Sequence, residues 1–198
     1  KPSKISLESV GDHKMYLDLS DTTSMRMFMF NLDRPIINFV EKNLKNGSVF
    51  VDIGAHVGYF TLRAAKLVGE KGRVYAFEPE KKNHELLCKN VELNGYKNVS
   101  IINKCVSSKN GSIDFFITKD SGTHSTKLKT DNKIRMASLT LDKFCKDHRV
   151  AKIDLIKIDV EGGEVDAFEG MKNIVKRNKN VKLIAEFVPS YVKSSGNT

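Results

Sequence analysis

The sequence predicts an α/β fold in which a mostly parallel sheet carries helices on both faces. Short apolar runs suited to buried parallel strands alternate with helical segments from about residue 49 onward. Two of these runs, at residues 49–53 and 153–160, lead into glycine turns that each precede a helix. Such alternation is typical of right-handed crossovers between parallel strands, so helices are expected on both sides of the sheet.

The first 46 residues read as an extension that precedes this sheet. Loose alternation on both sides of Gly11-Asp12 predicts a hairpin, and the polar residues at 21–24 can cap a short helix. Pro35 suits the first position of a longer helix. We expect residues 1–46 to form an N-terminal hairpin and helical extension, and residues 47–198 to form one globular domain.

The remaining elements follow from apolar runs and the turn residues between them. Strands are predicted at residues 49–53, 73–77, 99–103, 112–118, 136–141, 153–160 and 181–188. Helices are predicted at residues 59–68, 79–93, 142–148 and 164–171. The polar stretch at residues 120–133 has no period and is expected to be a loop that contacts substrate.

The stretch VFVDIGAHVGYFTL combines a strand, a glycine turn and a helix. Gly54 and Gly58 bracket the turn, which lets backbone N–H groups approach a nucleotide-like ligand. Glu78 ends the next strand, 20 residues beyond Gly58. An acidic residue at that distance is where dinucleotide-type sites hold a ribose diol.

Ligands of parallel sheets bind outside the carboxyl ends of the strands. That rule places six polar residues and one glycine along one rim of the sheet: Asp52, Gly54, Glu78, Asn103, Asp159, Glu161 and Glu186. The convergence of carboxylates on this rim is the main functional signal of the sequence.

The chain resembles the FkbM family of S-adenosylmethionine-dependent methyltransferases. The resemblance covers about residues 45–189 and rests on VFVDIGAHVGYFTL, VYAFEPEKKNHELLCKN, CVSSKNGSIDFF and, above all, IDLIKIDVEGGEVDAFEGM. It implies a Rossmann-like class I methyltransferase fold with S-adenosylmethionine as cofactor. The chain stops at Thr198, before the last helix and strands of a seven-stranded methyltransferase sheet, so those elements are expected to be missing.

The resemblance also implies roles for the residues that match the family motifs. Cofactor-binding roles fall on Asp52, Gly54 and Gly58 at the methionine and ribose end, Glu78 at the ribose hydroxyls, Asn103 near adenine, and Asp159 at the methyl donor. The family usually carries Asn where His56 stands. We expect His56 to hold the glycine turn or to contact the cofactor carboxylate.

Three residues are candidates for catalysis. Asp159 is the first candidate for the base that takes a proton from a hydroxyl acceptor, and His124 in the polar loop is the second. Lys157 should share the face of Asp159, where it orients the acceptor or forms an ion pair with Glu161 or Glu186. Asp159 and Glu186 would suit Mg²⁺, but two carboxylates are weak evidence, and no metal site is predicted.

The leading functional prediction is O-methylation of a hydroxyl on a small molecule or sugar. An RNA methyltransferase is the first alternative because the net charge is +9, although IDVEG and not an NPPY-type tetrapeptide stands at the end of the strand at residues 153–160. A non-catalytic nucleotide-binding module is another alternative. A nicotinamide-dependent oxidoreductase is disfavoured because DIGAHVG lacks the GxGxxG spacing.

Composition bounds the setting of the protein. No apolar run approaches eighteen residues, which excludes a membrane span, and the N-terminal residues do not resemble a signal peptide. Three widely spaced cysteines suggest neither a disulfide framework nor a zinc site, so a cytoplasmic location is expected. The sequence carries no signal for a particular oligomeric state.

Overall fold

The computed structural model describes residues 4–30, 34–118, 121–127 and 131–186. The strands in chain order are β1 (Ile5–Val10), β2 (His13–Asp18), β3 (Val49–Ile53), β4 (Arg73–Phe77), β5 (Val99–Ile102), β6 (Cys105–Val106), β7 (Gly111–Phe116), β8 (Lys133–Leu139), β9 (Leu155–Ile158) and β10 (Lys182–Ala185). The helices are α1 (Thr22–Phe30), α2 (Arg34–Asn43), α3 (Tyr59–Val68), α4 (Lys81–Leu93), α5 (Leu141–Asp147), α6 (Glu164–Glu169) and α7 (Lys172–Arg177), with a 3₁₀ turn at Ser121–Thr123.

The central sheet has five parallel strands in the order β10-β9-β3-β4-β5. From β3 the chain first moves outward through β4 and β5, and it later returns to place β9 on the other side of β3. This reversal makes the gap between the ends of β3 and β9 a topological switch point, where ligands of such sheets bind. The predicted α/β fold with a mostly parallel sheet is confirmed.

Two hydrophobic cores cover the two faces of this sheet. Adjacent residues of one strand point to opposite faces, so Phe50 belongs to one core and Val51 to the other. The first core packs β3, β4 and β9 against α2, α3 and α4, and it also takes in Met15 and Leu17 of β2. The second core packs the other face against α5, α6 and α7. Helices therefore lie on both faces, as the sequence predicts.

The N-terminal hairpin and helices form where expected. β1 and β2 pair in antiparallel register around Gly11, whose φ of +59° suits glycine. Asp21 caps α1 by accepting the Ser24 backbone N–H at 2.9 Å. Asn90 of α4 ties the hairpin to the domain, since its Oδ1 accepts the Tyr16 N–H and its Nδ2 donates to the Val57 carbonyl.

Several predicted boundaries differ from those observed. α4 begins at Lys81 rather than Pro79 because the Glu80 side chain accepts the Asn83 N–H and so caps the helix from outside. The helix predicted at 164–171 is observed as α6 and ends at Glu169, and a second short helix that was not predicted, α7, begins at Lys172. The strand predicted at 181–188 is observed as β10. Residues 187 and 188 of the predicted range lie outside the described residues.

A second sheet of three strands lies beside the central one. β8 pairs in parallel with β6 and antiparallel with β7, and the isolated bridge between Phe116 and Ser125 extends this sheet toward the polar loop. Part of the predicted loop at 120–133 lies outside the described residues. None of the helices in the described ranges combines the length and apolar character that crossing a bilayer requires.

Candidate functional site

A cleft opens at the carboxyl ends of the central strands. Its lining includes the turn after β3, the tips of β4 and β9, the segment at residues 104–107 that follows β5, the stretch around the 3₁₀ turn, and one face of α1. Because the cleft includes both Gly54 and Asp159, it spans the switch point between β3 and β9. The sheet topology thus places the cleft where the carboxylates of the rim converge.

The turn after β3 depends on two glycines. Gly54 has φ +81°, and a β-carbon there would overlap the Asp159 backbone carbonyl. Gly58 has φ +100°, and a β-carbon there would lie 2.7 Å from the Leu87 side chain. Both positions combine a left-handed backbone with close packing, which only glycine tolerates without strain. The tips of β3 and β9 can therefore approach each other closely.

Backbone N–H groups hold the Glu78 carboxylate at the tip of β4. His56 donates its N–H to Oε2 at 2.8 Å, and Glu80 donates its N–H to Oε1 at 2.9 Å. His56 adopts φ +52°, an uncommon conformation for a residue other than glycine, within the turn that delivers this N–H. Each carboxylate oxygen keeps a further lone-pair direction for a ligand hydroxyl.

Burial raises the pKa of Glu78 to about 8, although the Glu80 and His56 N–H groups favour the ionised form. Its side chain is only 5% exposed yet contributes to the cleft lining. A buried carboxyl in a ligand cleft with a strongly shifted pKa is a common feature of functional sites.

A second carboxylate, Asp159, is held by a buried lysine. Lys157 Nζ lies 3.0 Å from Asp159 Oδ2 and 3.8 Å from Asp52 Oδ1, and the Phe60 ring lies 5.0 Å from the ammonium. Asp52 is fully buried and accepts a hydrogen bond from Thr61 Oγ1 at 2.7 Å. Lys157 therefore bridges an internal carboxylate and one that lines the cleft.

The charges of this cluster determine which groups are ionised. Burial is the largest single effect on Asp159 and opposes its ionisation, but the Lys157 ammonium and a hydrogen bond with the Glu186 side chain together outweigh burial and lower the pKa of Asp159 below its ordinary value. Burial also opposes the charge on Lys157, yet Asp159 and Asp52 raise the pKa of Lys157. For Asp52 burial prevails and its pKa is raised. Asp159 and Lys157 are thus charged together at neutral pH.

The turn after β9 brings Glu161 to the cleft, and the end of β10 brings Glu186. Glu161 has φ +50°, and Glu164 Oε1 steadies the turn by accepting the Gly162 N–H at 3.0 Å. Within the described residues, carboxylate oxygens of Asp159, Glu161 and Glu186 lie within 4.8 Å of one another. Oxygen clusters suit Mg²⁺, but Lys157 already supplies positive charge here. We assign no metal to the cluster.

The N-terminal extension covers part of the cleft. Asp21 Oδ1 accepts the Ser121 N–H at 2.8 Å, and Ser121 Oγ lies 2.6 Å from His56 Nε2. A β-carbon on Gly122 would overlap the Thr23 side chain, which shows how closely α1 meets the 3₁₀ turn. These contacts fix the start of α1 against the cleft.

His124 lies in the cleft lining with its ring orientation fixed. Its Nδ1 is 3.1 Å from the Thr118 backbone nitrogen, which can only donate. The neutral ring therefore carries its proton on Nε2. With that tautomer His124 offers a hydrogen-bond donor through Nε2, whereas a general base requires an unprotonated nitrogen.

The cleft collects many of the residues that the sequence predicts. Among them, the lining includes Gly54, His56, Glu78, His124, Lys157, Asp159, Glu161 and Glu186. The predicted cofactor contacts Asp52, Gly58 and Asn103 lie outside that lining. Asn103 Nδ2 instead donates to the Glu78 and Pro79 carbonyls, at 2.9 and 2.8 Å.

Sequence reasoning missed the contribution of α1 and the support from Glu164. Thr23, Arg26 and Met27 line the cleft and follow the i, i+3, i+4 spacing of one helical face. That spacing is visible in the sequence, but its direction toward the cleft depends on the Asp21–Ser121 contact across 100 residues.

Comparison with protein families identifies the chain. The model of the methyltransferase FkbM domain matches residues 52–193, which include the cleft-lining turns after β3 and β9. The chain belongs to the FkbM methyltransferase family. The resemblance stated from the sequence is thereby confirmed.

Two curated relatives cover most of the chain at low identity. The hexuronic acid methyltransferase AglP of Haloferax volcanii is 24% identical over 144 residues, which is 73% of this chain and 58% of AglP. The 2-O-methyltransferase NoeI of Sinorhizobium fredii is 24% identical over 164 residues, covering 74% of this chain and 65% of NoeI. The chain thus matches less than two thirds of either relative's length.

A solved structure supports the fold class. The precorrin-6y C5,15-methyltransferase of Geobacter metallireducens superimposes with a TM-score of 0.51 at 14% identity, covering 83% of this chain and 69% of that one. This likeness concerns the fold alone. Together with the strand order it confirms the Rossmann-like class I methyltransferase fold.

S-adenosylmethionine is the cofactor that goes with this family. The residues of the cleft fit it. Glu78 is a buried carboxylate whose oxygens each have one backbone N–H partner and further acceptor capacity, which suits a ribose diol. Gly54 lines the cleft without a side chain at the tip of β3, so backbone and ligand can approach closely.

Proposed function

We propose that the protein is an S-adenosylmethionine-dependent O-methyltransferase acting on a hydroxyl of a sugar or other small molecule. The observation that carries the proposal is that Asp159, paired with buried Lys157, lines the same cleft as the N–H-bound carboxylate of Glu78. A site for a ribose and a candidate base therefore share one space. The similarity to AglP, a hexuronic acid methyltransferase, and to NoeI, a 2-O-methyltransferase, supports this acceptor class.

The side chains have distinct tasks in this proposal. When bound, S-adenosylmethionine supplies an electrophilic methyl group. Glu78 accepts hydrogen bonds from the ribose hydroxyls, and Asp159 accepts the proton of the acceptor hydroxyl at its carboxylate. Lys157 holds Asp159 in place and ionised, while His124 contributes its ring to the cleft lining. His56 presents its N–H to Glu78 and thereby fixes the ribose site.

The predicted contacts that lie outside the lining take supporting tasks. Asp52 holds Lys157 from the buried side, with its Oδ1 3.8 Å from Lys157 Nζ, and Gly58 allows α3 to start close to Leu87. Asn103 steadies the chain after β4 through its two hydrogen bonds to carbonyls. In this proposal these three residues support the cleft from outside its lining.

The proposal is tested by measuring transfer of a labelled methyl group to a panel of hydroxylated sugars and small organic acids, with S-adenosylhomocysteine binding measured in parallel by calorimetry. Binding together with transfer to a hydroxyl supports the proposal. Binding without transfer to any member of the panel favours the non-catalytic module, and absence of binding contradicts the cofactor assignment.

Glu78→Ala is expected to weaken S-adenosylhomocysteine binding by roughly 2–4 kcal/mol, the value of two charge-assisted hydrogen bonds. Glu85→Ala is the matched control, because it makes the same substitution at an exposed position of α4 that lies outside the cleft lining. Calorimetric titration of both variants measures the difference. Equal affinities for the two variants would remove Glu78 from the ribose site.

Binding at Glu78 is also expected to release a proton. With a pKa of about 8, this carboxyl is largely protonated at pH 7 in the free protein. Ribose hydroxyls donate to the ionised form, so binding lowers the pKa and affinity rises with pH up to about 8, by at most tenfold per unit.

The proton release is measured from the dependence of the calorimetric enthalpy on the ionisation enthalpy of the buffer. Wild type should release up to one proton per ligand at pH 7, and Glu78→Gln should remove that contribution. A binding enthalpy independent of buffer in wild type between pH 6 and 8 would show that Glu78 is not the linked group.

A further inference from the structure

Arg26 is a cation of the cleft that belongs to the N-terminal extension. It lies on the face of α1 that also presents Thr23 and Met27, at the i, i+3 and i+4 positions, and all three line the cleft. The Arg26 side chain is exposed. Among the residues that the structure describes, no carboxylate forms a salt bridge with it.

The position of Arg26 is set by contacts at the start of its helix. Asp21 caps α1 through Ser24 and at the same time accepts the Ser121 N–H across the cleft rim. Thr23 packs against Gly122, so the first turn of α1 is held at two points. Arg26 follows within the next turn and is therefore carried to the cleft by a fixed helix.

Besides Arg26, the charged residues of the cleft are a group of carboxylates, Lys157 and Lys104, which follows β5 on the sheet side. Carboxylates line the sheet side, where they come from strand tips and the α6 region: Glu78, Asp159, Glu161, Asp166 and Glu186. Lys157 on that side is committed to Asp159 and Asp52, and Asp166 is paired with Lys127 at 2.6 Å. On the α1 side the charge is positive and comes from Arg26.

We propose that Arg26 binds a carboxylate on the acceptor, so that the substrate class is a hydroxylated acid such as a uronic acid rather than a neutral sugar. The inference rests on the proposed O-methyltransferase function. A guanidinium offers a planar pair of N–H donors that matches a carboxylate. A dianionic phosphate is disfavoured because the carboxylates of the sheet side repel a second negative charge.

The test compares matched acceptors that differ only in the acidic group: methyl glucuronide with methyl glucoside, and methyl galacturonide with methyl galactoside. Labelled methyl transfer is measured for wild type and Arg26→Met. Wild type should prefer the acidic member of a pair, and Arg26→Met should lower kcat/KM for it about 10- to 100-fold, mainly through KM. Arg26→Lys should recover part of the loss, because lysine restores the positive charge but not the planar pair of N–H donors.

The control is Arg73→Met, which removes the same charge at the amino end of β4, at the opposite end of the sheet from the cleft. It should leave the acceptor preference of wild type unchanged. S-adenosylhomocysteine affinity should stay within about threefold in both variants. A loss of that affinity in Arg26→Met alone would place the guanidinium on the cofactor and overturn the proposal.

The outcomes separate this inference from the proposed function. Transfer to neutral acceptors with equal or better efficiency than to acidic ones overturns the carboxylate proposal but leaves the O-methyltransferase intact. Absence of transfer to every member of both pairs overturns the uronic acid class. If the wider panel also gives no transfer, the O-methyltransferase proposal fails with it.

Discussion

Replacing Gly54 with alanine is expected to abolish S-adenosylhomocysteine binding and to destabilise the protein by roughly 2–5 kcal/mol. Two costs add at this position. An alanine must adopt the left-handed backbone at φ +81°, and its β-carbon overlaps the Asp159 backbone carbonyl. The overlap cannot be relieved by a side-chain rotation, because the opposing atom belongs to the backbone of the neighbouring strand's tip. The tips of β3 and β9 must therefore separate.

Gly95→Ala separates the two costs. Gly95 also has a left-handed backbone, at φ +73°, but a β-carbon there meets nothing within 4 Å. The Gly95→Ala variant should lose only the stability that the left-handed backbone costs an alanine, about 1–2 kcal/mol, and should keep wild-type ligand affinity. Urea unfolding measures the stability of both variants and calorimetry measures binding. If Gly54→Ala and Gly95→Ala lose the same stability and both bind the ligand, the close approach of the tips of β3 and β9 contributes neither to stability nor to binding.

The buried strands of the central sheet are predictable because a parallel strand covered on both faces must be apolar almost throughout. β3 and β4 appear at the predicted bounds for this reason, and α3 ends at Val68, where Gly69 follows. Helix starts are harder when a side chain caps from outside the helix. Pro79 is a favourable first residue, yet Glu80 provides the cap and α4 starts two residues later.

Long-range pairing explains what the sequence did not reveal. The three-stranded sheet joins β6 to β8 across more than thirty residues, and no local pattern specifies that partner. In the cleft, the positions of Glu78 and Asp159 just after the ends of strands were visible from the sequence. The shielding of Asp52 was not, because its burial depends on Thr61 and Lys157 closing over it. The contribution of Arg26 depends in the same way on the Asp21–Ser121 contact.

Asp159→Asn is expected to lower kcat by about 10²–10⁴ while S-adenosylhomocysteine affinity stays within about threefold. The amide keeps the size of the carboxylate and can still accept a hydrogen bond from Lys157, which lies 3.0 Å from Oδ2. What it loses is the ability to take a proton. Because Lys157 and the hydrogen bond with Glu186 keep the wild-type pKa of Asp159 low, the carboxylate is ionised at neutral pH and can accept a proton.

Asp154→Asn is the matched control for this prediction, because Asp154 precedes β9 at the opposite end from the cleft and accepts the Val49 N–H at 2.9 Å. Its turnover should match that of wild type under conditions in which both variants are folded. Single-turnover transfer at saturating acceptor isolates the chemical step from product release.

A parallel loss of ligand affinity in Asp159→Asn would assign this carboxylate to cofactor binding, and unchanged turnover would exclude it as the base. Either result would leave the Glu78 site intact, since its carboxylate is held by the His56 and Glu80 N–H groups and not by the Lys157 cluster.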